Sequence, residues 1–179
     1  MEAIVTVQRA IVEHTPALAP ALIPPPRLHV SLAMVTLATL CGEAEEAKAL
    51  QWGFQRFRQL GTKPFLVRFQ GMGAFGGGRV VFAKPLEEPN LRRLAEALSD
   101  GSTGRPWTPH VTVAKVRTRR DDSLRLPRED ATLRVIPAPS YERFMGTVLG
   151  EERFSEFVLC RMVGSGVGGD YPVVGSIPF

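Results

Sequence analysis

Apolar and polar positions along this chain repeat with two periods, close to two in some segments and close to 3.6 in others. Where the period is two, or a short β-branched run is bounded by turn residues, a strand is expected. That reading predicts strands over 3–8 (AIVTVQ), 27–37 (RLHVSLAMVTL, a buried strand), 63–70, 79–85, 109–116 (PHVTVAKV), 156–162 and 171–177. Where the period is 3.6, a helix is expected. Leu50, Phe54, Phe57 and Leu60 recur at that spacing within 42–61, with glutamates in the first turn and arginines near the end, as the helix dipole favours. Leu91, Leu94 and Leu98 predict a second helix over 88–101, and 139–150 predicts a third, closed by Gly150 as a C-cap.

Between these elements lie breakers. Prolines 16, 20, 24, 25 and 26 keep any helix or central strand short across 16–26. The glycine-rich stretch 71–78 (GMGAFGGG) reads as a hairpin loop, and 117–130 as a charged loop. Glycine hairpins imply antiparallel pairing, and helices intervene between strands, so the predicted class is α+β and not a doubly wound parallel sheet. A weak internal echo supports two related lobes. Each half has a His-x-Ser/Thr strand, a helix and a hairpin-like pair of strands.

Composition narrows the class but not the function. With 44% hydrophobic and 22% charged residues in 179, the chain is neither disordered nor fibrous, and it reads as a single two-lobed domain over 1–179, or a piece of a longer protein. A net charge of +4 and a pI near 9.5 lean toward anionic ligands without requiring nucleic acid. Two distant cysteines, Cys41 and Cys160, make no disulfide framework and are expected as reduced, buried thiols, which fits a cytoplasmic or nuclear setting. The N-terminal segment does not read as a signal peptide, and no stretch is apolar enough to span a membrane.

Candidate chemistry lies in two of the three histidines. His29-Val30-Ser31-Leu32 and His110-Val111-Thr112-Val113 repeat one pattern just after prolines. In a strand His29 and Ser31 share one face, and His110 and Thr112 likewise, with the aliphatic residues behind. If the halves are related by a pseudo-twofold, the two imidazole–hydroxyl pairs face each other across one cleft. Such a pair suits metal-independent cleavage of a phosphodiester. With an ordinary histidine pKa of about 6.5, one imidazole removes a proton from a ribose hydroxyl while the other protonates the leaving oxygen. Ser31 and Thr112 donate to the phosphate oxygens. Spacing alone leaves open the plainer alternative of two satisfied, half-buried histidines.

Other motifs weigh against rival chemistries. GMGAFG (71–76) fits G-x-G-x-x-G, but a strand follows it where a dinucleotide site needs a helix. No G-x-S-x-G elbow and no metal-ligand spacing is present, so neither a cofactor nor a metal is expected. His14 reads as a surface residue, and Phe75 as core in preference to a residue bordering the cleft. Trp107 is expected to stack on a nucleobase or line the cleft, with a core plug as the alternative. Lys115 shares the face of His110 and Thr112 only if a bulge intervenes; strict alternation puts it on the back of its strand, so it is not chosen. Arg27 and Arg105, which flank the motifs, read as solvated more readily than as phosphate ligands, and the arginine-rich 115–134 segment as an ordinary solvated loop.

The two motifs resemble the paired signature of the two-histidine phosphoesterase superfamily. Within it the chain looks like the branch holding the phosphodiesterase-like domains of A-kinase anchoring protein seven and leukocyte receptor cluster member nine. FQGMGAFGGGRVVFAK, PHVTVAKV, YERFMGTVLGEE and VLCRM with the following glycine-rich turn and Tyr171 match in order, over roughly Ala3 to Ile177. The first motif has Ser31 where threonine is commoner. The resemblance implies a two-lobed fold with a central cleft, His29 and His110 as catalytic acid and base, and Ser31 and Thr112 as substrate-binding hydroxyls. It also implies Tyr171 as a ligand-side aromatic. The implied substrate is a nucleotide or short oligoribonucleotide, most of all a 2′-5′-linked oligoadenylate, acted on by a monomer without a membrane. The alternatives are a 2′,3′-cyclic phosphodiesterase, or a module that binds nucleotides or RNA ends with little turnover.

Overall fold

The computed structural model describes residues 2–34, 43–98, 107–116, 134–160 and 171–179. Its helices are α1 (Glu2–His14), α2 (Glu43–Leu60) and α3 (Pro89–Leu98). Its strands are β1 (Phe65–Phe75), β2 (Val80–Pro85), β3 (Val111–Lys115), β4 (Val148–Phe154), β5 (Glu156–Cys160) and β6 (Val173–Pro178). All pairings between these strands are antiparallel, in a four-stranded sheet of order β3-β2-β1-β4 and a separate β5-β6 ribbon. The α+β class is as expected.

Each sheet has its own core. Ile4, Val7 and Ile11 of α1 pack against Val67, Met72, Val81, Val111 and Val113 on one face of the large sheet. Phe57 of α2, Leu94 of α3 and Ile177 of β6 form the second core, with Phe157 and Phe179 against it. Leu32 and Phe65 pack against both cores. The predicted helical stripe of α2 holds: Phe57 is buried, Phe54 and Leu60 line the same core, and Leu50 packs over Gly175. Arg56 and Arg93 tie α2 to α3 by donating to the carbonyls of Ala97 and Leu60.

Four expectations need correction. Residues 3–8 are helix, not strand. Their β-branched composition favours a strand locally, but Ile4, Val7, Gln8 and Ile11 are buried at helical spacing, and packing overrides propensity. The predicted strand 27–37 is not one: Arg27 ends a 3-10 turn, and 28–34 make no ladder beyond one bridge, Val30↔Val111; 35–37 lie outside the described residues. The predicted loop 71–78 is strand as far as Phe75, and the turn is confined to 76–79, with Gly76, Gly77 and Gly78 at positive φ. The predicted helix 139–150 is two 3-10 turns, Ala138–Ser140 and Glu142–Phe144, followed by β4. Pro137 and Pro139 interrupt any longer helix, and Gly150 (φ 110°) sits opposite Phe69 beside a bulge in β4 instead of capping a helix.

The outer edge of β3 is covered by the proline-rich segment. Ile23 donates its N–H to the Val113 carbonyl (3.0 Å), and Leu22 bridges Ala114. Buried Gln8 donates to the carbonyls of Ile23 (2.6 Å) and Val113 (3.1 Å), which fixes α1, the segment and β3 together. An edge that would otherwise expose unpaired backbone is thereby closed. Cys160 is half-buried, and burial pushes its thiol above the ordinary range. Cys41, Arg105 and the 117–130 loop lie outside the described residues.

Candidate active site

The single bridge between Val30 and Val111 organises the site. Directly paired residues share a face, and both valines turn into the first core. Their neighbours therefore point the other way. Antiparallel register sets His29 beside Thr112 and Ser31 beside His110, so all four side chains occupy one face. Burial agrees: His29 and Ser31 are exposed and His110 and Thr112 half-buried, while Val111 and Val113 are buried.

Each imidazole is held in the same way. His29 Nδ1 lies 2.7 Å from the carbonyl oxygen of Arg27, and His110 Nδ1 lies 2.8 Å from that of Thr108, in each case two residues upstream. A carbonyl only accepts, so Nδ1–H is the donor in both. The nitrogen left for chemistry is Nε2 in both rings, free to accept a proton when the ring is neutral and to donate one when it is charged.

Aromatic rings hold each imidazole from the side. Tyr171 meets His29 edge to face at 5.3 Å, and Phe75 and Phe82 meet His110 at 5.1 and 5.5 Å. Phe75 and Phe82 stack on each other at 4.1 Å. This is possible because Gly73 faces Phe82 across the β1–β2 pair; a Cβ at Gly73 would come within 2.6 Å of the Phe82 ring. Phe75, expected in the core, is half-buried against His110. Trp107 is brought to the first motif: its indole N–H donates to the Ser31 carbonyl (3.0 Å), and its ring packs on the first core.

Two basic residues, Lys115 and Arg27, lie elsewhere than the preferred sequence reading puts them, and Lys84 joins the site without having been singled out. β3 carries a bulge, since Val81 pairs with Ala114 but Phe82 pairs with Thr112. The extra residue rotates the rest of the strand, so Val113 and Ala114 are both buried and Lys115, paired with Val80, joins the face of Thr112. A bulge leaves no mark in an alternation pattern, which is why strict alternation puts Lys115 on the back. Lys84, two residues after Phe82, is on that face too, its side chain against Gly73. Arg27 departs further from expectation. It is 8% exposed, not solvated, with its guanidinium over the Tyr171 ring at 4.9 Å. Among the described residues no three His, Cys, Asp or Glu side chains group as metal ligands, and no helix is long and apolar enough to cross a membrane.

Paired Nε2 atoms, two hydroxyls and two lysines on one face match the demands of a phosphodiester. A profile of the AKAP7 2′5′ RNA ligase-like domain matches residues 1–179. The chain belongs to that family. The solved structures agree on the fold. E. coli LigT complexed with 3′-AMP superposes with a TM-score of 0.64 at 18% identity, over 99% of this chain and 91% of that one. TT0787 of Thermus thermophilus superposes at 0.56 and 24% identity, over 97% and 91%. A structure described as a phosphoesterase gives 0.53 and 16%, over 97% and 92%. No curated protein matches the sequence.

Proposed function

We propose that this family member is a metal-independent phosphodiesterase that cleaves 2′-5′-linked oligoadenylate, with residues 1–179 acting as one two-lobed unit. The observation that carries the reading is the common anchoring of both imidazoles through Nδ1, on two segments bridged at Val30 and Val111. It leaves two Nε2 atoms on one face and lets one ring be base while the other is acid. The neutral ring takes the proton of the ribose 3′-hydroxyl. That oxygen bonds to phosphorus and the bond from phosphorus to the 5′-oxygen breaks. The charged ring gives its proton to the departing 5′-oxygen. The products are a 2′,3′-cyclic phosphate and a 5′-hydroxyl, and the two rings have exchanged protonation states. Ser31 and Thr112 donate to the non-bridging oxygens as charge grows on them, with Lys84 and Lys115 adding positive potential. Trp107 lines the cleft beside Ser31, and Tyr171 is the aromatic on the ligand side.

The test is a linkage panel. The protein is incubated, with EDTA present, with 2′-5′ and 3′-5′ oligoadenylates and a 2′,3′-cyclic nucleotide, alongside the His29→Ala/His110→Ala protein. Cleavage of the 2′-5′ linkage, resistant to EDTA and lost in the double variant, is expected. A double variant that cleaves at the wild-type rate overturns the mechanism. A second reading, nucleotide binding with little turnover, is favoured by the 3′-AMP complex of the E. coli neighbour. It predicts tight 3′-AMP binding with no product from any linkage.

A further inference from the structure

Arg27 is the one buried side chain among the described residues with an unsatisfied polar atom. Its Nε has no hydrogen-bond partner, and the side chain forms no ion pair with any described carboxylate. A guanidinium buried to this degree normally finds an anion, because desolvating a charge without a partner is costly. Among the described residues its recorded partner is an aromatic face, that of Tyr171 at 4.9 Å. The same Tyr171 ring lies edge to face with His29 at 5.3 Å, and the Arg27 carbonyl is the acceptor that orients His29. The Tyr171 ring thus touches both this cation, which has no anionic partner among the described residues, and the first imidazole, whereas Phe75 and Phe82 flank the second. Arginine is suited to such a place, since its planar fork binds a phosphate through two parallel hydrogen bonds and its face stacks on an aromatic ring.

We propose that Arg27 is a specificity-determining residue that binds a second phosphate of the ligand, a monoester separate from the phosphate held between the two histidines. The inference rests on the proposed placement of one phosphate at His29 and His110. The site then prefers nucleotides bearing two separated phosphates, such as a phosphorylated end next to the bond between nucleotides. Tyr171 positions the guanidinium for it.

Direct binding reads this without requiring turnover. Affinities of the full chain for 3′-AMP and for adenosine 3′,5′-bisphosphate are measured by calorimetry, for wild type and Arg27→Met. Wild type is expected to bind the bisphosphate at least about tenfold more tightly, as one charge-assisted phosphate contact contributes. Arg27→Met is expected to erase that ratio. A ratio near one in wild type overturns the proposal. So does a variant in which both affinities fall together with the ratio kept, which marks Arg27 as a support for Tyr171 and His29 only. Should Arg27→Met not fold, Arg27→Gln is read by the same ratio, and the wild-type preference must in addition shrink as sodium chloride rises. A bisphosphate preference without cleavage of any linkage removes the catalytic reading and leaves the Arg27 site standing. Failure to bind either nucleotide removes both.

Discussion

A neutral imidazole carries one proton on two nitrogens, so the group that holds one nitrogen decides what the other can do. At His29 and His110 a backbone carbonyl makes that choice, and a backbone group cannot be mutated away or titrated. The rate of diester cleavage is expected to be bell-shaped in pH, one limb for the base and one for the acid. Replacing either histidine singly by alanine should lower kcat by about 10²- to 10⁴-fold and flatten one limb, with circular dichroism unchanged. A two-limbed profile surviving in either variant would contradict the assignment. The hydroxyls are tested separately. Thr112→Val keeps the shape of a half-buried side chain and removes only the donor. It should reduce kcat by about 10²-fold while leaving thermal stability near wild type.

At the scale of elements, the β1–β2 hairpin acts as a holder for His110. Phe82 lies flat over Gly73, reaches Phe75, and presents its edge to the imidazole. Gly73→Ala forces a methyl group into the ring's place, so Phe82 must shift. The expected cost is about 1–3 kcal/mol in urea denaturation, together with a loss of activity beyond what the lost stability explains. A variant with full activity at saturating substrate would show that the aromatic pair does not position His110. Much of the site's framework is legible in the sequence. The alternation in HVSL and HVTV assigns the right faces, because burial on one side imposes period two whether or not a full ladder forms. What stays hidden depends on partners distant in sequence. The β3 bulge that turns Lys115 to the front is a property of its pairing with β2. The burial of Arg27 depends on Tyr171, far along the chain. The helix at residues 2–14 is masked by its valines and isoleucine, which read as strand over six residues and as a helical stripe only over thirteen. The region 139–150 misleads for the opposite reason. A helical spacing of Tyr141, Phe144 and Val148 is present, but Pro137 and Pro139 precede it and β1 recruits the rest as a strand.

At the scale of the molecule, two cores share two residues. Leu32 follows the first motif's hydroxyl by one position and Phe65 opens β1, and each packs on both cores. The lobes should therefore unfold together. Phe57→Ala, in the centre of the second core, should cost about 3–5 kcal/mol and lower the single midpoint seen by both tryptophan fluorescence and circular dichroism. Two separated transitions would mean that Leu32 and Phe65 do not couple the lobes. Family membership and the likeness to E. coli LigT concern this same scale, since both cover nearly the whole chain.

The Val30–Val111 bridge has a consequence for how the protein comes into being. It joins segments from opposite halves of the chain, and each brings half of the machinery. A nascent or truncated polypeptide lacking the 107–116 segment holds an imidazole and a hydroxyl with nothing opposite them. Closing so long a loop is among the slower steps available to a folding chain. On the proposed mechanism, a site built from both halves is complete only once this loop has closed, and a fragment lacking either segment is expected to leave the diester uncleaved in the linkage panel.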